Sequence, residues 1–331
     1  MQTTVIPGRT VLCKRKPVTG TFYQEVVKGL SAPQKYLDSK YFYDAEGDRL
    51  FQQIMQCQEY YLTGCEMEIL TARSAEIAAT LVQQAHTFDV VELGAGDATK
   101  SIHLLRQLLA NGTDFTYFPI DISANVIAQL EQQLPAVLPD LRMKGLNGEY
   151  FDMLQQANTY SHKKKVVLFM GANIGNFNSA AAHDFCMELR DYLLPGDLLL
   201  TGFDLKKNPQ VILRAYNDEA GITRAFNFNL LTRINRELDA DFDIRKFEHY
   251  PTYDPGTGAC KSYLISLEKQ QVHIGQDVHI DFEADEPLYM EISQKYSLAE
   301  TEQLAIETGF QPVARFFDNK KWFVDALWQR V

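Results

Sequence analysis

Short apolar runs alternate with longer amphipathic stretches through the middle of the chain. The runs at 88–93, 115–121, 141–146, 166–171 and 197–203 are rich in Val, Ile, Leu and Phe and too short for helices, so they predict buried strands. Helical periodicity at 98–110, 123–133 and 179–192 fills the intervals. That rhythm predicts an α/β fold, a doubly wound parallel sheet with helices on both faces. Upstream, the pattern predicts helices at 22–30 and 66–84, with Leu50, Phe51, Ile54 and Met55 at helical spacing between them. After Asp204 the rhythm changes. Helical patterns at 211–217 and 223–238 precede strand patterns at 261–267, 271–274, 278–282 and 289–293, which predict an insertion with its own small sheet. A helix at 299–308 and strands at 313–317 and 322–328 suit a closing hairpin on the main sheet.

The first strand runs into Glu92-Leu93-Gly94-Ala95-Gly96-Asp97, and a helix follows. Glycines in such a turn permit backbone angles that side chains forbid and let a ligand approach the main chain. A dinucleotide fingerprint wants a third glycine three positions on, where Thr99 stands. Glu92 would repel a pyrophosphate but can pair with the ammonium of a methionine moiety, so the turn favours S-adenosylmethionine (SAM). The next strand ends in Asp121, and a carboxylate there can hold both hydroxyls of a ribose. The turn 171–177 and the loop 147–150 end neighbouring strands and converge on the same crevice. A turn with two glycines is also common as a purely structural feature. The tyrosines of 41–43 and 60–61 suit packing as well as a polar pocket.

Composition narrows the field. The chain has 331 residues, 46% of them hydrophobic, which is enough for two lobes. A net charge of −11 argues against a duplex nucleic-acid partner, and Lys163-Lys164-Lys165 reads as a solvated loop. Met1–Thr10 shows no secretory leader, and no apolar stretch approaches the roughly 20 residues of a membrane helix. Five scattered cysteines, Cys13 among them, without C-x-x-C spacing fit reduced thiols in the cytoplasm. The seven histidines show no metal-ligand spacing; His273 and His279 flank a hairpin, and no metal is expected.

The order of several short motifs goes further. Tyr41-Phe42-Tyr43-Asp44, Glu59-Tyr60-Tyr61, Val91-Glu92-Leu93-Gly94-Ala95-Gly96, Ile174-Gly175-Asn176 and Arg214-Ala215-Tyr216-Asn217-Asp218 occur along the chain. Ala225-Phe226-Asn227, Asn235-Arg236-Glu237-Leu238, Asp241-Phe242-Asp243 and Glu291-Ile292-Ser293-Gln294-Lys295 follow. In this order, over nearly the whole length, they resemble the bacterial histidine-specific Nα-methyltransferases of ergothioneine biosynthesis. The resemblance implies a class I SAM-methyltransferase sheet with an antiparallel last strand, plus a second, smaller α+β domain. It implies a SAM-binding domain of 65–204 and 294–331, a substrate domain of 1–64 and 205–293, and a substrate held between them.

Carried over by position, the resemblance assigns Glu92, Gly94, Gly96, Lys100, Asp121, Glu149 and Tyr150 to SAM. It assigns Tyr60, Asn176, Tyr216, Glu291 and Ser293 to the amino acid: Asn176 and Tyr216 on its carboxylate with Tyr60 nearby, Glu291 and Ser293 on its imidazole. Tyr43 would lie toward the amine and is the candidate catalytic residue. A neutral amide and phenols can hold a carboxylate by hydrogen bonds, and a carboxylate opposite an imidazole accepts its N–H. Orientation of an unprotonated amine against an already activated sulfonium supplies much of the rate. The expected reaction is methylation of the α-amino group of free histidine up to the trimethyl betaine, in a cytoplasmic monomer without nucleic-acid or membrane partners. Three positions depart from the family pattern: Ala172-Asn173 replaces small hydroxyl residues, Leu62-Thr63-Gly64 replaces proline-threonine-arginine, and Ser262 stands where a bulky apolar residue is expected. A smaller, polar wall at Ser262 leaves open an indole amino acid or a modified histidine as substrate. A SAM-binding protein without turnover is the third reading.

Overall fold

The computed structural model describes residues 20–331. Cys13 and Met1–Thr10 lie outside the described residues.

Thirteen strands occur among the described residues. They are β1 (Phe88–Leu93), β2 (Thr116–Asp121), β3 (Arg142–Met143), β4 (Leu146–Asn147), β5 (Lys164–Phe169), β6 (Leu198–Asp204) and β7 (Phe247–Asp254), then β8 (Ala259–Ser266), β9 (Gln270–Ile274), β10 (Val278–Phe282), β11 (Pro287–Gln294), β12 (Phe310–Phe317) and β13 (Phe323–Arg330). The helices are α1 (Thr21–Leu30), α2 (Ala45–Gln56), α3 (Tyr61–Ala72), α4 (Ser74–Ala85), α5 (Ser101–Ala110) and α6 (Ala124–Val137), then α7 (Tyr150–Tyr160), α8 (Ser179–Asp191), α9 (Pro209–Ala215), α10 (Ile222–Leu238) and α11 (Leu298–Glu307).

By contacts the chain divides into two units. Unit 1 is Met1–Phe51, Ile222–Tyr250 and Tyr263–Glu291; unit 2 is Gln52–Gly221, Pro251–Ser262 and Ile292–Val331. Unit 2 carries the main sheet in the order β12-β13-β6-β5-β1-β2-β3, with β4 also on β2. Strands β1, β2, β5 and β6 pair in parallel, and β13 runs antiparallel to β6. This is the sheet of a class I methyltransferase, as expected. Every residue of β1 is buried, because helices cover both faces of a parallel sheet. Strand alternation sends Val90 into one apolar core and Val91 and Leu93 into the other. Pro312 sits in the edge strand β12, where a missing N–H costs no ladder bond, and a bulge follows it.

Three local expectations need correction. The single helix at 66–84 is two helices, α3 and α4, broken at Arg73. The buried positions Ile69, Leu70, Ile77 and Ala78 keep a helical spacing across the break, so the apolar pattern cannot register it. Helix α7 was not expected at all; it buries only Leu154 and Ala157, too few to show a period. Strand β7 was hidden by Pro251, which is tolerated because β7 is the edge of a three-stranded sheet ordered β11-β8-β7.

In unit 1, an aromatic cluster fixes the segment that carries Tyr43. Phe42 packs on Phe226 at 4.7 Å between ring centroids, and Tyr43 meets Phe51 and Phe226 edge-on at 5.7 and 5.9 Å. Asp44 accepts from Gly47 N, Asn229 Nδ2 and Arg236 Nη2, which ties the segment to α10.

Candidate functional site

The loop after β1 is built for close approach. Gly94 and Gly96 adopt positive φ of 72° and 54°. Gly94 N and Ala95 N both donate to Ile120 O, at 2.9 and 3.1 Å, which folds the loop back over β2. Asp121 at the end of β2 accepts from Gly96 N at 3.2 Å and Ser123 N at 2.9 Å, so its carboxylate is held against the glycine turn. A side chain at Gly94 would come within 3.0 Å of Tyr150 Oη and 3.3 Å of Asn173 Nδ2. A Cβ at Gly171 would lie 3.5 Å from Lys100 Nζ and 3.6 Å from Asn173 Nδ2. Gly94, Lys100, Tyr150, Gly171 and Asn173 therefore meet at the carboxyl ends of β1 and β5, where ligands of open α/β sheets bind. Asn173, noted from sequence only as a departure, is central to this group.

Lys100 is held by an ion pair with Glu66, a residue that sequence reasoning did not single out. Glu66 also accepts from Gly171 N at 2.7 and 2.9 Å, so one buried carboxylate fixes both the lysine and the start of the 171–176 turn. Burial pulls the Lys100 ammonium down, and Glu66 outweighs it, leaving its pKa above the ordinary value. Glu92 is buried and accepts from Tyr117 Oη; burial pushes its carboxyl up to about 7 against the lowering by Tyr117 and Ser101. Tyr150 packs edge-on to Phe169 and Phe185, and burial raises its phenol to about 12. Glu149 caps α7 without using its side chain and is exposed.

A second group lies beyond the 171–176 turn. A Cβ at Gly175 would be 3.0 Å from Gln294 O and 3.7 Å from Ser293 Oγ, so the turn that carries Asn176 packs directly on the end of β11. Tyr216 Oη donates to Ser293 Oγ at 2.7 Å, and the Tyr60 ring stands edge-on to Tyr216 at 6.1 Å. Behind them lies Lys295, whose ammonium reaches Tyr216 Oη at 2.7 Å, Ser293 Oγ at 2.8 Å and Asp204 Oδ2 at 2.7 Å. Lys207 pairs with Asp204 too, and Tyr61 Oη donates to it at 2.7 Å. Burial pushes the Asp204 carboxyl up, but Lys295 and Lys207 prevail and hold it below its ordinary value. The structure thus brings Tyr60, Tyr216, Ser293 and the turn of Asn176 alongside the glycine turn, through Asn173 and Gly175. Glu291 and Tyr43 belong to unit 1. Glu291 is half-buried on β11, two residues before Ser293; burial above all, with smaller contributions from Tyr263 and Glu291, raises the neighbouring Tyr289 phenol to about 12. Lys295 was quoted in a motif without a role, although the alternation Glu291, Ser293, Lys295 places it in line with two assigned residues.

A glycine turn, a carboxylate at the end of the next strand and the polar pair Tyr216–Ser293 beside the turn after β5 suit a methyl donor next to a small polar acceptor. The model of a family described as histidine-specific, SAM-dependent methyltransferases matches residues 22–330. The chain belongs to this family. A histidine N-alpha-methyltransferase of Mycolicibacterium smegmatis is 36% identical over 82% of this methyltransferase and 84% of its own length. Ergothioneine biosynthesis protein 1 of Neurospora crassa is 30% identical over 88% of this chain but only 33% of its own. A 4-dimethylallyltryptophan N-methyltransferase of Claviceps fusiformis is 28% identical over 87% of this chain and 86% of its own. Among solved structures, a SAM-dependent methyltransferase from Clostridium acetobutylicum superposes with a TM-score of 0.43 at 10% identity, over 78% of this chain and 92% of that one.

The residues at the glycine turn fit SAM: open backbone at Gly96, polar groups of Tyr150 and Asn173 beside Gly94, a carboxylate at Asp121, and an ammonium at Lys100 beside Gly171. Among the described residues, no group of three or more acids, histidines or cysteines suits a metal ion, and no helix is long and apolar enough to cross a membrane. Among the described residues, Cys57, Cys65, Cys186 and Cys260 form no disulfide.

Proposed function

We propose that this methyltransferase transfers methyl groups from SAM to the α-amino group of free histidine, in successive steps to the trimethyl betaine. The observation that carries the reading is the pair Tyr216–Ser293 set against the Asn176 turn and linked through Asn173 to the glycine turn. In this reading Gly94, Gly96, Lys100, Asp121, Glu149 and Tyr150 hold the donor, with Glu92 toward its ammonium. Asn176 and Tyr216 take the substrate carboxylate with Tyr60 beside them, Glu291 and Ser293 take the imidazole, and Tyr43 lies toward the amine. SAM supplies an electrophilic methyl group; the chain's residues orient the amine, and the amine proton leaves to water. The 65–204 and 294–331 segments would form the donor-binding domain and the remainder the substrate domain. The enzyme would act as a cytoplasmic monomer on a small molecule, without nucleic acid or membrane.

Calorimetric titration of histidine in the presence of S-adenosylhomocysteine tests this directly. Binding of histidine is expected; silence with histidine and heat with another amino acid would reject the substrate. One observation favours a second substrate class. Ser262, where the family pattern expects a bulky apolar residue, is buried on β8, and a relative named for an indole amino acid aligns over most of the chain. A mass-spectrometric screen of amino acids separates the two: turnover of histidine far above every indole amino acid removes the second.

A further inference from the structure

The cluster behind Tyr216 is unbalanced in charge. Lys207 and Lys295 both have buried side chains, and both close on Asp204: Lys295 Nζ lies 2.7 Å from Oδ2, and Lys207 pairs with Oδ1. Tyr61 Oη donates to Oδ2 at 2.7 Å and accepts from Lys207 Nζ at 3.0 Å. Among the described residues Asp204 is the one carboxylate within ion-pair distance of either ammonium, and residues 1–19 contain no acid. Two ammoniums on one carboxylate leave an excess of one positive charge, all of it within unit 2. Its cost shows at Lys207, whose ammonium is held below its ordinary value by burial, with repulsion from Lys295 added, despite Asp204. The excess faces the candidate site. Lys295 Nζ donates to Tyr216 Oη at 2.7 Å and to Ser293 Oγ at 2.8 Å, beside the turn of Gly175 and Asn176. An ammonium can only donate, so these two directions hold whichever way the contact between the two hydroxyls is read.

We propose that Lys295 and Lys207 are positioning residues that together supply, from behind Tyr216, the counter-charge for the acceptor's carboxylate, and so restrict the site to amino acids whose carboxylate is free. The proposal rests on the substrate reading above, which sets a carboxylate on Tyr216 and Asn176. It adds the buried groups that make the charge of that carboxylate, beyond its hydrogen bonds, the feature selected. A cluster serving the fold alone would gain nothing from a second ammonium, because an uncompensated buried charge is costly. A bound carboxylate balances the cluster. A carboxamide or a peptide bond has nearly the same shape and can accept the same hydrogen bonds, but it brings no charge. Away from water a unit charge is felt more strongly than at an exposed surface, so a lysine need not touch the ligand to select it.

The test compares histidine with histidinamide, by calorimetric titration with S-adenosylhomocysteine bound. The two ligands differ in the acidity of their own amines, but that difference is the same for every protein and cancels between variants. Wild-type protein is expected to prefer histidine at least about 50-fold, as a desolvated charge pair lost on one side would give. Lys295→Gln keeps N–H donors for Tyr216 and Ser293 and removes the charge. Lys207→Met removes the same charge at a residue bonded to neither hydroxyl. Each leaves one lysine on Asp204, and each should cut the preference at least about fivefold, with S-adenosylhomocysteine binding unchanged and thermal melting confirming the fold. A wild-type preference under about threefold overturns the proposal, whatever the variants do. So does an undiminished preference in folded Lys295→Gln. Loss of preference in Lys295→Gln with none in Lys207→Met assigns the effect to a local hydrogen bond and overturns it too. If wild-type protein binds another amino acid and not histidine, the substrate reading fails by itself, and the same acid–amide comparison on that amino acid decides the proposal.

Discussion

Two lysines in unit 2, Lys100 half-buried and Lys295 fully buried, keep opposite company. Lys100 is outnumbered: Glu66 pairs with it, and Glu92 and Asp325 add carboxyl groups whose charges act on it. Lys295 has the reverse arrangement, sharing one carboxylate, Asp204, with a second ammonium from Lys207. The first cluster is rich in acid and the second carries an excess cation. At the acid-rich end the protein must decide which carboxyls keep their protons. Burial and the nearby Glu66 charge hold the Asp325 carboxyl well above its ordinary range, and both of its oxygens lack a hydrogen-bond partner among the described residues. At the other end no proton need move, because two ammoniums keep Asp204 ionised. The contrast matches the proposed ligands. A donor bearing a sulfonium and an ammonium suits an acid-rich cluster, and an amino-acid carboxylate suits a phenol backed by excess positive charge.

The sharpest way to break the contrast is Asp204→Asn. It strands two buried ammoniums, and removing one partner of a buried ion pair costs about 3–5 kcal/mol. Urea denaturation should show a loss of that order; a loss under about 1 kcal/mol would mean that Lys295 and Lys207 find other partners. Tyr216→Phe is next. It deletes one hydrogen bond to a proposed carboxylate, which is worth about 1.5–3 kcal/mol and predicts a 10- to 100-fold fall in kcat/KM for histidine. Binding of S-adenosylhomocysteine should stay the same, and an equal loss there would erase the distinction between the two clusters. Glu66→Gln acts on the other side, weakening S-adenosylhomocysteine binding by about tenfold through a loosened Lys100 and Gly171, read by calorimetry.

The pH dependence sharpens the acid-rich side. Glu92 is raised from 4.5 to about 7, so its contribution to folding stability is full below 4.5 and is lost as pH rises through 7. Over the same rise it becomes a carboxylate able to pair with the donor's ammonium. S-adenosylhomocysteine should therefore bind more tightly at pH 8 than at pH 6, and Glu92→Gln should flatten that profile. An unchanged slope in the variant assigns the titration elsewhere. The smallest effect is expected from Asp325→Asn. Neither carboxyl oxygen has a hydrogen-bond partner to lose and burial already favours the neutral form, so the loss should be within about 1 kcal/mol near pH 6. As pH climbs through its raised pKa the wild-type protein should lose stability relative to this variant, with thermal melts at several pH values as the measure.

The sheet was legible because its strands are apolar runs of strand length, and burial on both faces leaves no other composition possible. Gly94 and Asp121 were legible for a similar reason: each serves a turn or strand end that few residue types can fill. Helix α7 and strand β7 were not, because one buries too few side chains to print a period and the other carries Pro251 at a sheet edge. Glu66 and Asp204 were silent. Glu66 lies in a helix among ordinary acids, and nothing local tells that it closes on Lys100 and Gly171, 34 and 105 residues away.

By itself the sequence determined most of the order of strands and helices, the glycine turn after β1 and the acid at the end of β2. These follow from short-range patterns, whose physical causes act within a few residues. Only the tertiary structure decided which charges are buried together, which way burial and neighbours move each carboxyl's pKa, and which polar groups share the Lys295 ammonium. Those depend on desolvation and on partners such as Lys295 and Tyr216, 79 residues apart, that meet only when the chain is folded.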